Sequence, residues 1–262
     1  MTPPLDTITP SPVELLSSGS CLLCGRVDLE VVLDLGLTGL ANNLPMAADR
    51  DREPLFPLRL ARCPHCTHVQ LADRVPPELL YGHYLYVSSA SSTLTAHLGS
   101  LAAAIAARVP AHMGAASLDI GCNDGTLAAF MRGHGFRARG VDPAENLAPR
   151  SRAKGIDVEV DYFHRDTARR LLDRHGPVQV MTATNSFPHI PDLHSYLEGV
   201  ALLLATGGVF VIEAHYLLDL IEQCAFDTIY HEHCHFWRLG PMMELFAAHG
   251  LEIFDCERLP IH

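Results

Sequence analysis

Lysine is almost missing from this sequence: among 262 residues, Lys154 is the only one. A Schiff-base mechanism would have to use that residue, which sits in a polar stretch that reads as a helix end, so amine catalysis is disfavoured. Basic charge is scarce altogether, with 19 Lys and Arg against 30 Asp and Glu and a net charge of −11. A chain that grips nucleic acid needs a basic stripe to neutralise phosphates, and none is visible. Long apolar runs are lacking too: no stretch reaches the roughly 20 residues that a membrane-spanning helix requires. Residues 1–12 carry Pro and Thr without a basic start or an apolar segment, so no secretory signal is read there and a cytoplasmic location is expected. What remains is ordinary globular material, 48% hydrophobic and 19% charged. The length suits one full α/β domain and a smaller module.

Residues 1–75 read as loops and short strands, in which Val31-Val32-Leu33 and Pro57-Leu58-Arg59-Leu60 are separated by Gly, Pro and Asn. Residues 76–110 form a connector, aromatic and Ser-rich with Tyr81, Tyr84 and Tyr86, followed by a helix over 93–108 with Leu94, Leu98, Leu101 and Ile105 on one face. From 111 to 262 the pattern is regular. Apolar runs at 116–120, 137–141, 156–160, 178–183 and 209–213 alternate with stretches of helical length, the signature of a parallel sheet with crossover helices. A helix over 241–249 ends at Gly250, and 251–259 then alternates like a sixth strand.

The first predicted strand runs into Asp119-Ile120-Gly121-Cys122-Asn123-Asp124-Gly125, and a helix follows from Thr126. A glycine-rich turn there is where a doubly wound sheet binds a nucleotide. A dinucleotide site would show Gly-x-Gly-x-x-Gly and a pyrophosphate at the helix start. Here the glycines are Gly121 and Gly125 behind an acid, Asp119, which would repel a pyrophosphate and suits the ammonium and sulfonium of S-adenosylmethionine (SAM). Asp142 ends the second strand, where a carboxylate can accept both ribose hydroxyls. The third strand leads to Asp161-Tyr162-Phe163, an acid and an aromatic placed to meet adenine. The bland alternative is that Asp119, Gly121 and Gly125 only shape a tight turn.

Cys21-Leu22-Leu23-Cys24 and Cys63-Pro64-His65-Cys66 stand 38 residues apart. Each Cys-x-x-Cys turn presents two thiolates on one side, and two such knuckles complete a tetrahedral zinc site. Four thiolates leave no open position, so the metal's expected role is structural. A module this poor in apolar mass gains from such a staple. Free thiols or a redox pair are the competing reading.

The segment Phe226-Asp227-Thr228-Ile229-Tyr230-His231-Glu232-His233-Cys234-His235 follows the fifth strand, at the sheet edge where ligands bind. A zinc site on a helix would read His-Glu-x-x-His, whereas this is His-Glu-His, and adjacent side chains point apart. General acid–base work needs a single His with one or two orienting groups, and is preferred here over a metal site or solvated surface histidines. Asn185 and His189 follow the fourth strand at the same edge, either in the site or capping the helix that starts near Pro191.

Taken together, these residues resemble the sugar C-methyltransferases that add a methyl branch to nucleotide-linked 4-keto-deoxyhexoses in antibiotic pathways. The resemblance covers nearly the whole chain. It rests on both cysteine pairs, Leu35-Gly36 with Leu40-Ala41-Asn42, Gln70-Leu71, Tyr84 and Tyr86 before Ser88-Ser89, Asn123-Asp124-Gly125, and above all the string from Phe226 to His233. It implies a Rossmann-like SAM-methyltransferase sheet, α/β and doubly wound, with a small N-terminal four-cysteine zinc-binding module. It places the general base on His233, and a sugar site on Tyr230, Glu232, His189 and Tyr84. It implies that Asp119, Gly121, Asn123, Gly125, Asp142, Asp161 and Asn185 hold SAM, that Cys21, Cys24, Cys63 and Cys66 hold Zn2+, and that the substrate is a nucleotide sugar. Cys122 stands where a serine or small residue is more usual. Family members continue past Leu259-Pro260 into Gly-Gly-Ser-x-Arg and a further domain, whereas this sequence ends at His262. A truncated form and a natural short form are both consistent with that. Methylation of another small natural product, or an inactive SAM-binding partner protein, are the alternatives.

Overall fold

The computed structural model describes residues 16–17, 19–48, 52–82, 84–109 and 114–259. The stretch 1–12, read above for targeting signals, and residues 260–262 lie outside the described residues. Among the described residues no helix is long and apolar enough to cross a membrane.

The chain opens with β1 (Leu16–Ser17), β2 (Glu30–Thr38), β3 (Phe56–Arg62), β4 (Val69–Leu71) and β5 (Asp73–Arg74), then α1 (Pro77–Tyr81) and α2 (Ser92–Arg108). The α/β part follows as β6 (Ala116–Ile120), α3 (Thr126–Gly133), β7 (Arg137–Val141), α4 (Ala148–Ala153), β8 (Asp157–Glu159), α5 (Arg165–His175), β9 (Val178–Thr184), α6 (Leu193–Leu203) and β10 (Leu204–Glu213). It closes with α7 (Leu217–Glu222), β11 (His235–Phe236) and α8 (Leu239–Ala248).

Five strands form a parallel sheet in the order β10-β9-β6-β7-β8. The chain order reverses between β6 and β9, which makes their carboxyl ends the place where a crevice opens. Successive residues of the central strands face opposite layers. Val180 and Val211 pack with α2 and α3 beside Leu98, Ile105, Leu127 and Met131. Met181, Phe210 and Ile212 meet α5, α6 and α8 beside Leu171, Leu197 and Phe246. Burial on both faces explains why β6 reads as an unbroken buried run.

The helix starts are set locally. Ser91 caps α2 by accepting from the Leu94 N–H at 3.2 Å. Asp192 caps α6 through Ser195 N–H at 3.0 Å, so neither Asn185 nor His189 serves as that cap.

A second, antiparallel sheet of order β11-β4-β3-β2 carries the cysteine module. Its fourth strand comes from far along the chain: His235 pairs with Gln70 and Phe236 with Val69. The His-rich segment is therefore stitched to the module by backbone hydrogen bonds.

One expectation fails. Residues 251–259 do not form a sixth strand. Their alternating pattern is real, since Leu251 and Ile253 pack on the core, but a strand needs a neighbour's backbone groups. The segment lies across an open cleft from β10. Side chains hold it there: Asp255 pairs with Arg108 of α2 at 3.1 Å, and Arg258 pairs with Asp219 and Glu222 of α7.

Candidate active site

Two turns meet at the reversal point. The turn after β6 carries Gly121, Asn123 and Gly125; the turn after β9 carries Asn185 and Ser186. Ser186 donates its hydroxyl to the Ile120 carbonyl at 2.8 Å and ties them together. Gly121 has φ +71°, and a Cβ there would lie 2.5 Å from the Ser186 Cβ. Close approach of protein to protein thus requires this glycine, in addition to any approach of backbone to ligand. Gly125, at φ +74°, starts α3 over Ser151.

Asp142 ends β7 and is 8% exposed. One oxygen accepts from the Asn123 N–H at 2.7 Å and the other from the Ala144 N–H at 2.9 Å. Each oxygen keeps a second acceptor site, the arrangement a ribose diol needs. Burial pushes the Asp142 carboxyl up, against the pull of these two N–H groups. Asp119 is not on the cleft surface. It is 4% exposed beneath the turn, accepts from the Thr182 hydroxyl at 2.7 Å, and burial raises it to about 7. Asp161 does line the cleft, with its carboxylate engaged by Thr167 at 3.0 Å and by Arg170. Asn185 faces Glu213, whose other oxygen meets His97 of α2 at 2.5 Å. Lys154 braces the start of α3: its Nζ lies 2.7 Å from both Asp124 and Thr126 Oγ1, and although burial raises the Asp124 carboxyl, the hydrogen bonds from Lys154, Ser89 and Thr126 together hold it low.

A cleft of about 2000 Å³ runs from these turns to the His-rich segment. There, successive histidines part company. His231 turns to the module and meets Phe56 edge-on at 5.9 Å, 2% exposed. His235 is fully buried, its Nδ1 3.0 Å from His68 Nε2 and its Nε2 2.7 Å from the Ile190 carbonyl. Of these three, only His233 lines the cleft. Its Nδ1 lies 2.7 Å from the Thr228 carbonyl oxygen, which can only accept, so the ring proton sits on Nδ1. Nε2 then carries the lone pair, and the Tyr230 hydroxyl donates to it at 2.9 Å. Burial holds the Tyr230 hydroxyl above its usual range, so it remains a donor.

His189 stacks on Tyr81 at 5.6 Å and lies 5.1 Å from the His233 ring. It is half-buried, burial drives its pKa well down, and its enclosed Nε2 has no hydrogen-bond partner among the described residues. An orphaned buried nitrogen beside a cleft is the mark of a bound polar group. Glu232, by contrast, stands behind the wall: Asn42 donates to one oxygen at 2.5 Å, the Tyr84 hydroxyl to the other at 2.9 Å, and burial raises its carboxyl.

Sequence reasoning left out three of these groups. His215 lies 4.7 Å from the His233 ring and follows β10 at the ligand edge, a position that could have flagged it. Asn42 was visible in the Leu40-Ala41-Asn42 string but without a role. Asn146, which bonds the backbone of Tyr84, carried no signal.

In the module, the sulfurs of Cys21, Cys24, Cys63 and Cys66 all lie within 4.8 Å of one another, the only such cluster of potential ligands among the described residues. Cys21 and Cys66 are 3.4 Å apart and Cys24 and Cys63 3.6 Å. Both are far beyond a disulfide length of about 2 Å and close to the edge of about 3.8 Å of a tetrahedral zinc–thiolate site. Burial pushes the Cys21 and Cys66 thiols up; at Cys63, burial is outweighed by N–H groups of Cys66 and His65. A cation's charge offsets that cost.

A glycine turn at the reversal of a parallel sheet, in a chain that also carries a four-thiolate cluster, is the layout of a methyltransferase domain joined to a zinc-binding module. Residues 96–255 match the family described as "Methyltransferase domain" and residues 21–81 the one described as "Putative zinc binding domain". The chain belongs to this methyltransferase family; its cofactor is SAM, and the cysteine cluster is its structural zinc site. It is 35% identical over 245 residues to the C-methyltransferase NovU of Streptomyces niveus, covering 92% of this chain and 58% of that protein. It is 32% identical over 141 residues to a ubiquinone biosynthesis O-methyltransferase of Cronobacter sakazakii, covering 47% of this chain and 58% of the relative. The structure of the plantazolicin methyltransferase BpumL aligns with a TM-score of 0.46 at 14% identity, over 58% of this chain and 61% of that one. The chain thus spans somewhat more than half the length of these two relatives.

Proposed function

We propose that the chain catalyses SAM-dependent C-methylation of a nucleotide-linked 4-keto-deoxysugar through an enolate, with His233 as general base. The supporting observation is the His233 ring: its Nδ1 proton is committed to the Thr228 carbonyl, and its basic Nε2 meets the Tyr230 hydroxyl in the cleft. Carbon alkylation needs a group that removes a proton α to a carbonyl, which a neutral imidazole of fixed tautomer can do. SAM supplies the electrophilic methyl group. Tyr230 holds Nε2 in the resting site and turns its hydroxyl aside so that the same lone pair can take the substrate proton, leaving an imidazolium, while His189 presents its Nε2 to a substrate oxygen. Glu232 sets Tyr84 from behind and touches no reacting atom. Likeness to NovU supports carbon rather than oxygen as the acceptor.

Deprotonation and methyl transfer are separable, so a keto-sugar nucleotide incubated in heavy water with enzyme and S-adenosylhomocysteine should gain deuterium at the carbon to be methylated. His233→Ala should abolish exchange and methylation, a loss on the order of 10²–10⁴-fold, with SAM affinity near normal. His231→Ala should be mild, since that ring faces Phe56. Exchange that survives His233→Ala and fails in His231→Ala would sink the assignment of the base. A chain that binds SAM but exchanges no keto-sugar across a panel would overturn the substrate class.

A further inference from the structure

Between α1 and α2 the chain crosses the mouth of the cofactor turns as a strap, residues 84–88, with Leu85 and Tyr86 each 47% exposed. It belongs to no sheet, so its backbone polar groups need other partners. Two asparagine side chains supply them. Asn123 accepts from the Ser88 N–H at 2.9 Å and donates to the Tyr86 carbonyl at 3.0 Å. Asn146 accepts from the Tyr84 N–H at 3.1 Å and donates to the Tyr84 carbonyl at 2.8 Å. Only one orientation of each amide satisfies both bonds, so each reads the strap's register as a neighbouring strand would.

Both asparagines are referred to one carboxylate. Asp142 accepts the backbone N–H of Asn123 with one oxygen; with the other it accepts that of Ala144, two residues before Asn146 in the same turn. At the far end, the Tyr84 hydroxyl donates to Glu232, next to His233. Hydrogen bonds joined by short covalent stretches, Ala144 to Asn146 and the Tyr84 side chain, therefore lead from Asp142 to the wall of the candidate sugar site. Asn146 is not in the lining of the cleft.

We propose that Asn146 is a positioning residue that couples cofactor seating at Asp142 to the placement of Tyr84. The proposal rests on the reading of Asp142 as the ribose carboxylate. Asn146 touches neither cofactor nor substrate; it fixes where the Tyr84 ring enters the site. Loss of the amide leaves Tyr84 N–H and C=O without their partners, and the strap's near end is then free to drift from Glu232.

The test uses the full chain with 3-fluorotyrosine at position 84, followed by fluorine NMR, with S-adenosylhomocysteine binding measured separately by calorimetry. In the parent, adding S-adenosylhomocysteine should move and sharpen the position-84 resonance. In Asn146→Ala it should still bind within about threefold, while the resonance no longer responds. Asn146→Asp keeps the acceptor for Tyr84 N–H and should respond in part; it carries the test if the alanine variant fails to fold. With an active substrate in hand, Asn146→Ala should lower kcat at least tenfold with little change in the KM for SAM. A parent that binds S-adenosylhomocysteine and a variant whose resonance responds as the parent's does would overturn the coupling alone. A parent that binds none would overturn the ribose reading and the coupling with it.

Discussion

Asp142 shows how one side chain can shape the turn that the proposed ribose site occupies. Its oxygens hold the N–H groups of Asn123 and Ala144, so the carboxylate shapes the pocket it would fill. Asp142→Asn keeps one acceptor but sets a donating NH2 against one of the two backbone N–H groups, so it disturbs the turn as well as the ribose site. Charged hydrogen bonds are worth about 1.5–3 kcal/mol each. The substitution should weaken SAM binding by at least that much, about tenfold or more, and lower the melting temperature by about 2–4 °C for each kcal/mol lost in the turn. Calorimetry showing unchanged affinity would contradict the placement of ribose at β7. The place of Asp142 at the end of a strand was legible in the sequence because it needs only its own strand. That of Asn146 was not, because its partner Tyr84 lies 62 residues away.

Among the elements, the two Cys-x-x-Cys turns are pinned by the sheet that joins them: Cys63 follows β3 directly, and Cys66 precedes β4. The module reaches the candidate site through Asn42, which bonds Glu232. Zinc should therefore be present at one ion per chain. Cys63→Ser should release it and lower the melting temperature by on the order of 10 °C, since a few kcal/mol shifts a domain of this size by that amount. Metal analysis finding much less than one zinc in intact, folded protein would refute it. β6 was readable because it is buried on both faces, and β7, only half-buried and carrying Arg137 and Arg139, also falls on the predicted residues. Residues 251–259 were misread because alternation reports which side chains are buried and says nothing of whether a backbone neighbour is in reach.

Across the whole molecule, β11 joins the His-rich segment to the module, and the buried pair His68 and His235 sits at that seam. Burial lowers both, His235 to about 3 and His68 well below its usual value. A depressed histidine stabilises the fold fully above the unfolded pKa of 6.5, and that stability is lost as pH falls from there toward the folded value, because only the unfolded chain takes up the proton. Asp119, raised to about 7, works the other way over part of this range. A comparison of parent and variant cancels its effect. His235→Gln should destabilise the protein at pH 7, and by pH 5 the gap to the parent should narrow by about 2 kcal/mol in denaturant titrations. A gap that is constant with pH would mean that His235 does not titrate on unfolding.

The sequence by itself determined the parallel sheet, the SAM turn, the thiolate set and the His-rich segment at the sheet edge. Each depends on spacing along the chain or on the residue types at one strand end. The tertiary structure alone decided which histidine faces the cleft, that Glu232 is held from behind by Asn42 and Tyr84, and that Asp119 lies under the turn. It also decided that two asparagines carry the strap. These are matters of which side chains meet across loops of 60 to 190 residues, and a hydrogen bond formed over such a distance leaves no periodic trace in the sequence that makes it.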